Sequence, residues 1–206
     1  MKDGARAFAE QFTVSRETLD MLSSYESLLL KWTHRINLVA SSTLDHLWTR
    51  HFLDSAQLKS LAPNSGHWVD LGSGGGFPGL VVAALAHENT SMSFTLVESD
   101  QRKATFLRTV VRELGLRANV IARRIEELEP LEADILSARA LAPLTDLLGY
   151  IETHRVPAGV ALFPKGENVE QEIAVALERW HFDCEKHASM TDEKSTILCI
   201  GEVTRV

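Results

Sequence analysis

The sequence predicts a Rossmann-like α/β fold: a seven-stranded, mostly parallel sheet covered on both faces, preceded by a helical extension. Three observations predict it. Over roughly the first 60 residues, apolar side chains recur in steps of three and four, the spacing of one helical face. From His67 onward, short apolar runs alternate with helix-length segments, the rhythm of strand–helix–strand units on a parallel sheet. Between the first such strand and its helix lies Val69-Asp70-Leu71-Gly72-Ser73-Gly74-Gly75-Gly76-Phe77-Pro78-Gly79-Leu80. That glycine-rich turn stands where open α/β sheets bind their ligands.

In chain order, Ser15 can cap a helix whose apolar stripe is Leu19, Leu22, Tyr25, Leu29, Trp32 and Ile36. A second helix is predicted over 44–61 from Leu44, Leu47, Trp48, Phe52 and Leu58, ended by Pro63-Asn64-Ser65-Gly66. Strands are predicted at 68–71, 93–98, 119–122, 133–138, 159–163, 181–187 and 195–203. The helices between them are predicted at 78–85, 103–114, 141–151 and 169–180. Pro78 suits a first helical turn, and Gly115 a helix stop. Thr191-Asp192-Glu193-Lys194 leaves no room for a helix, so the last two strands should be antiparallel. Residues 1–65 are expected to be an extension packed on a domain of residues 66–206.

No apolar run approaches the ~18–20 residues of a membrane span. Met1-Lys2-Asp3-Gly4-Ala5-Arg6 leads into no apolar signal segment, so a cytoplasmic protein with no membrane partner is expected, with a monomer as the default. Cys184 and Cys199 are expected to be reduced thiols, and no spacing of Cys or His announces a metal site. The net charge of −7 argues against an indiscriminate nucleic-acid binder. Its distribution argues differently. Residues 99–125 carry Arg102, Lys103, Arg108, Arg112, Arg117, Arg123 and Arg124 against Asp100 and Glu113 alone. A solvated helix face explains such a block in plain terms, but local potential decides where a polyanion docks.

Three ligand classes compete for the glycine turn. A phosphate-binding P-loop would need Gly-Lys-Ser/Thr, yet Leu80 and Val81 follow Gly79, and no Lys or Arg occurs from Ser60 to Gln101. A dinucleotide site matches Gly72 and Gly74 but meets Phe77 where the third glycine belongs. S-adenosylmethionine fits better, because it is free of phosphate and carries two positive groups. Asp70 beside the turn would attract those charges, and Gly72, Gly74 and Gly76 would let backbone approach the amino-acid moiety. Glu98, ending the second strand, can accept both ribose hydroxyls. Arg123, Arg124 and Glu126 follow the third strand, where an adenine ring rests, and Ile125 can cover that ring.

The acceptor is narrowed by what is missing. Enzymes that methylate exocyclic amines carry an Asn/Asp-Pro-Pro-aromatic motif after the fourth strand, but here Ala138-Arg139-Ala140-Leu141-Ala142-Pro143 follows. Carbon-5 pyrimidine chemistry needs a nucleophilic cysteine, and none lies near these strand ends. Guanine N7 has a ready lone pair and needs alignment only; an oxygen of a small molecule would fit as well. Arg139 is the expected catalytic residue, holding the ligand carboxylate or the guanine edge, with a salt bridge to Asp134 or Glu98 as the structural alternative. Lys165 on the rim can bind RNA phosphate or be a solvated lysine. Arg50 and His51, sharing a face with Asp54, can meet RNA or tie helices to the core. Arg102, Lys103, Arg123 and Arg124 complete the expected RNA contacts.

Taken together, these motifs resemble one family: the bacterial 16S rRNA (guanine-N7)-methyltransferases, RsmG, also named glucose-inhibited division protein B. The resemblance spans nearly the whole chain. It runs through Lys31-Trp32 with Asn37-Leu38, Arg50-His51-x-x-Asp54-Ser55, Asp70 to Gly79, Glu98-Ser99 with Arg102-Lys103, Arg139-Ala140 and Lys165-Gly166. It implies a class I methyltransferase fold, S-adenosyl-L-methionine as methyl donor, and one guanine near the decoding region as acceptor. The partner would be 16S rRNA, the 30S subunit or an assembly intermediate. The family's cofactor contacts fall on Gly72, Phe77, the Ile125-Glu126 pair and Arg139. Ala138 replaces a serine of the family and Thr33 an asparagine, neither in the glycine turn. Rival readings are a small-molecule methyltransferase, an NAD-dependent oxidoreductase and a non-catalytic RNA-binding module.

Overall fold

The computed structural model describes residues 3–206. Helices α1 (Asp3–Gln11) and α2 (Arg16–Thr33) open the chain, and Ser15 Oγ accepts the Thr18 N–H at 3.1 Å, capping α2. The stretch that follows is not the single helix its periodicity predicts. It runs as a 3-10 turn (Ser41–His46), a π-helical turn (Trp48–Leu53), the short α3 (Asp54–Ala56) and another 3-10 turn (Gln57–Leu61). Aromatic packing overrides local propensity here. Trp48 stacks on Phe52 at 4.7 Å, and Phe52 meets Tyr25 and Phe77 edge-on at 5.2 and 5.5 Å.

The alternating part comprises β1 (Gly66–Leu71), α4 (Gly79–Leu85), β2 (Met92–Val97), α5 (Gln101–Glu113), β3 (Ala118–Ile121) and β4 (Ala133–Ala138). It continues with α6 (Leu144–His154), β5 (Arg155–Lys165), α7 (Val169–Ala176), β6 (Trp180–Ala188) and β7 (Thr196–Arg205). The sheet order is β3-β2-β1-β4-β5-β7-β6. Neighbours from β3 to β5 pair in parallel, and β7 runs antiparallel to both β5 and β6. The chain steps outward from β1 to β3, then returns to β4 on the other side of β1. That reversal opens a crevice at the carboxyl ends of β1 and β4. Helix α6 begins three residues later than predicted, because Pro143 holds Ala142 out of the helical region. Ala140, just before it, sits at φ 51, a left-handed turn that a residue with a Cβ rarely adopts.

Side chains alternate across the sheet, so Trp68 and Val69 enter different layers. Trp68, Leu96, Leu80 and Phe106 pack with Leu22, Tyr25, Leu29, Phe52 and Leu58 of the first 60 residues. Val69, Leu71 and Leu136 pack with Leu147, Leu148, Ile151 and Trp180. The N-terminal helices thus share one core with the sheet. Among the described residues, no helix is long and apolar enough to cross a membrane.

Candidate active site

The glycine turn connects β1 to α4 and needs left-handed backbone at three points: Gly72 (φ 63), Gly74 (φ 57) and Gly76 (φ 95). These positions differ in what a Cβ would meet. At Gly72 it would fall 2.5 Å from Leu141 Cδ1, and at Gly76 2.3 Å from Leu80 Cδ1. At Gly74 it would meet only the Gly72 carbonyl, at 3.7 Å. Gly74 lines a cavity of about 1260 Å³ with Gly72, Phe77, Glu98, Ile125, Glu126 and Arg139. Ligand pockets commonly span ~300–1,000 Å³, so this one has room for more than one small ligand.

Two expected cofactor contacts do not face it. Asp70 is 0 % exposed, beneath the turn: Oδ1 accepts the Ser137 hydroxyl at 2.7 Å and Oδ2 the Gly79 N–H at 3.2 Å. Its carboxylate joins β1 to β4 and holds the start of α4, so it supports the site from below. Gly76 likewise turns toward Leu80 and Tyr25, not toward the cavity. Burial pushes the Asp70 pKa up to about 6, against the opposing pull of Ser137, Ser73, Gly79 and Arg139. The folded state therefore holds this proton more tightly than the unfolded chain does. The resulting stability is complete below the unfolded value and is lost as pH rises through about 6. Asp70→Asn removes this dependence. Urea titrations should show wild type losing roughly 2 kcal/mol relative to the variant between about pH 4.5 and 7.5. Parallel pH profiles would rule this assignment out.

Glu98, just past β2, is 8 % exposed and is held by backbone donors: Gly74 N–H at 2.9 Å on Oε2 and Asp100 N–H at 2.7 Å on Oε1. Each oxygen keeps a lone pair for a ribose hydroxyl. Ile125 is buried in the 3-10 turn Ile125–Glu127 and offers an apolar wall. The Tyr150 hydroxyl donates to Glu126, which lowers the acid's pKa; burial and that same bond push Tyr150 up to about 12.

Arg139, just past β4, lines the same cavity. Nη1 donates to Asp54 Oδ2 at 3.0 Å and to the Arg50 carbonyl at 3.1 Å, and Nη2 to His51 Nδ1 at 2.8 Å. The guanidinium lies 5.1 Å from the Phe77 ring centroid. The salt-bridge partner is Asp54, not Asp134 or Glu98; Asp134 instead accepts the His67 N–H at 2.7 Å. Arginine only donates, so His51 Nδ1 accepts and Nε2 carries the proton, which goes to Thr43 Oγ1 at 2.8 Å. Burial, then Arg139 and Arg50, lowers the His51 pKa to about 3. Its neutral form contributes stability above the unfolded value near 6.5, and this is lost as pH falls toward about 3. The His51 imidazole resonance should stay unshifted in NMR spectra from about pH 8 to 5. A midpoint near the free-histidine value would show the cluster to be open.

Tyr25 belongs to the site unannounced. Its buried hydroxyl donates to the Gly75 carbonyl, and its ring stacks on Phe77 at 5.4 Å. Sequence reading saw it only as part of an apolar stripe. The available signal was the phenol itself, which seeks a partner when buried.

With this geometry in view, comparison with known proteins is decisive. Residues 18–198 match the profile of the family described as rRNA small subunit methyltransferase G. A protein of that name from Ruegeria pomeroyi is 50% identical over 199 residues, 96% of this chain and 98% of its own. Another from Cereibacter sphaeroides is 52% identical over 200 residues, 96% of each chain. The chain belongs to the rRNA small subunit methyltransferase G family. The fold of this G-type methyltransferase also resembles solved structures of low identity. A SAM-dependent methyltransferase from Aquifex aeolicus superposes with a TM-score of 0.60 at 11% identity, covering 85% of this chain and 97% of that one. A tRNA methyltransferase of B. subtilis gives 0.54 at 16%, covering 72% and 64%.

The basic residues of the methyltransferase divide by placement. Arg50, Lys103, Arg123 and Arg124 line the cavity rim. Arg50 pairs with Asp192 at 3.1 Å, and Arg123 donates to the Glu127 carbonyl at 2.7 Å. Among the described residues, the Lys103 and Arg124 side chains make no hydrogen bond or ion pair. His51 lines the cavity too, but its ring is spent on Thr43 and Arg139 and is not turned out toward RNA. Two other expected RNA contacts already have partners within the chain. Arg102, exposed at the start of α5, pairs with Asp100 at 3.1 Å, holding that carboxyl down at about 2. Lys165 is 9 % exposed, with its ammonium on Glu172 at 2.7 Å and on the Ala142 carbonyl at 3.0 Å. A lysine so committed ties β5 to α7 and to the loop after β4; releasing it to a phosphate would strand Glu172.

Proposed function

We propose that this chain transfers a methyl group from S-adenosylmethionine to N7 of a guanine in 16S rRNA. The carrying observation is the single cavity that joins the glycine turn, Glu98 and Ile125 to a rim bearing Arg50, Lys103, Arg123 and Arg124. The residues suit this cofactor: Gly74 leaves a side-chain volume open, and Glu98 offers two acceptor oxygens. When bound, S-adenosylmethionine supplies an electrophilic methyl on sulfur.

N7 keeps an in-plane lone pair at neutral pH and has no proton to lose. With S-adenosylmethionine bound, transfer would exchange the S–CH3 bond for N–CH3 and leave the positive charge on the purine. No general base is required, which fits a wall whose histidine is held neutral as an acceptor and whose deep aspartate lies outside the cavity. The chain's own task is alignment and exclusion of water, with Arg139, His51 and Asp54 forming a stiff wall. The helical segment before β1 supplies Arg50, His51 and Asp54 to that wall and, behind the glycine turn, Tyr25. The proposed setting is a monomer in the cytoplasm, acting on the 30S subunit or an assembly intermediate.

The test is labelled S-adenosylmethionine with 30S subunits, naked 16S rRNA and small-molecule extracts, all from cells lacking this protein. Label recovered as 7-methylguanine in 16S rRNA supports the proposal. Label confined to small molecules, or RNA bound without any methylation, refutes it.

A further inference from the structure

Away from the active site, the start of α2 meets the end of α4. Glu17 lies in the first turn of α2, and His87 and Glu88 follow α4. One ligand atom from each of these three residues falls within 4.8 Å of the others. His87 Nδ1 lies 3.0 Å from the Ala84 carbonyl, which can only accept, so Nδ1 carries the proton. In the neutral ring Nε2 is then the acceptor. It is sealed from solvent, has no hydrogen-bond partner, and faces two carboxylate oxygens, of Glu88 at 3.7 Å and Glu17 at 3.9 Å.

A buried lone pair aimed at two anions is unfavourable as it stands. A cation among the three groups satisfies them all. The histidine already has the arrangement of a metal ligand, with its other nitrogen donating to a backbone carbonyl and so fixing tautomer and ring. Zinc–ligand distances of about 2.0 Å at tetrahedral angles set ligand atoms about 3.3 Å apart. The glutamate side chains are 67% and 74% exposed, so each is free to rotate toward the imidazole and close the ligand set. One imidazole and two carboxylates suit a borderline divalent ion of the zinc type better than a hard all-oxygen ion.

The geometry points to a zinc-type metal site formed by Glu17, His87 and Glu88, clipping α2 to α4. These helices bracket the glycine turn: α4 begins at Gly79, and α2 carries Tyr25, whose hydroxyl holds Gly75. The site is thus a structural clip behind the cofactor cavity, distinct from the methyl-transfer chemistry.

The test is titration of the purified full chain with cobalt(II) and zinc(II), read by visible absorption, calorimetry and thermal melting. Expected are one-to-one saturation at micromolar metal, a cobalt spectrum without a thiolate charge-transfer band, and a Tm rise of about 5 °C at hundredfold excess over Kd. Glu17→Gln, Glu88→Gln and His87→Gln should each weaken binding at least fivefold. The two glutamate variants alter exposed side chains, so they keep the test valid should His87→Gln fold poorly. Absence of saturable binding, or binding weakened less than fivefold by the glutamate variants, overturns the site. The readouts are independent of methyl transfer.

Discussion

Arg139→Ala should lower kcat/KM for methyl transfer by a factor of a hundred or more while leaving the overall fold intact. Arg139 is 18% exposed in its side chain and Asp54 15%, so their pair is largely withdrawn from water. Truncation leaves the Asp54 carboxylate, the Arg50 carbonyl and His51 Nδ1 without their shared donor. Stranding one partner of a withdrawn pair costs about 3–5 kcal/mol, and the wall relaxes to avoid it. A shift of about 1 Å in a positioning wall costs on the order of a hundredfold in rate. The shift should spread, because Asp54 Oδ1 also accepts from Thr191 at 3.1 Å and from Gln57 at 3.0 Å, and Gln57 holds the Met190 N–H at 2.8 Å. The β6–β7 turn thus rests on the same carboxylate. Arg139→Lys keeps the charge but loses the fork that reaches three acceptors, so it should recover only part of the rate. Steady-state kinetics on 30S subunits, with circular dichroism to check the fold, decide this. Near-normal turnover of the alanine variant would remove Arg139 from the alignment role.

Gly74→Ala should strongly weaken S-adenosylmethionine binding at a modest cost in stability. At φ 57 an alanine pays about 1–2 kcal/mol, a few degrees in Tm for a chain of this length. Its Cβ meets only the Gly72 carbonyl, so nothing inside the protein is displaced. The methyl instead occupies cavity volume beside the backbone N–H that Glu98 holds. Calorimetry should show affinity weakened by about a hundredfold or more, a loss near 2.7 kcal/mol. Gly76→Ala is the contrasting variant. Its Cβ would strike Leu80 Cδ1 at 2.3 Å and the Tyr25 hydroxyl at 2.6 Å, so it should lose stability before it loses ligand. Cofactor affinity of the Gly74 variant within threefold of wild type would show that the ligand does not approach this backbone.

Much of the fold was legible because it is written locally. Strand and helix alternation, the Ser15 cap, the glycine turn and the antiparallel last pair depend on neighbours within a few positions. The run from Leu44 to Leu61 was legible in its burial but not its pitch, since the ring contacts of Trp48 and Phe52 with Phe8, Tyr25 and Phe77 set the pitch. Lys165 and Glu172 are seven residues apart, and nothing local says that β5 and α7 bring them to 2.7 Å. Glu17 and His87 are farther apart still, so sequence reading announced no metal site there.

By itself, the order of residues determined the class of fold, the place of the crevice and the chemistry facing it at Gly72, Gly74, Glu98 and Ile125. Each follows from strand ends and turn geometry, which are short-range properties of the backbone. Only the tertiary structure decided what the charged side chains do: Asp70 beneath the turn, Lys165 buried on Glu172, and Arg139 shared among Arg50, His51 and Asp54. The physical reason is that a charge withdrawn from water must find its counter-group through space, and packing of distant elements determines which group arrives.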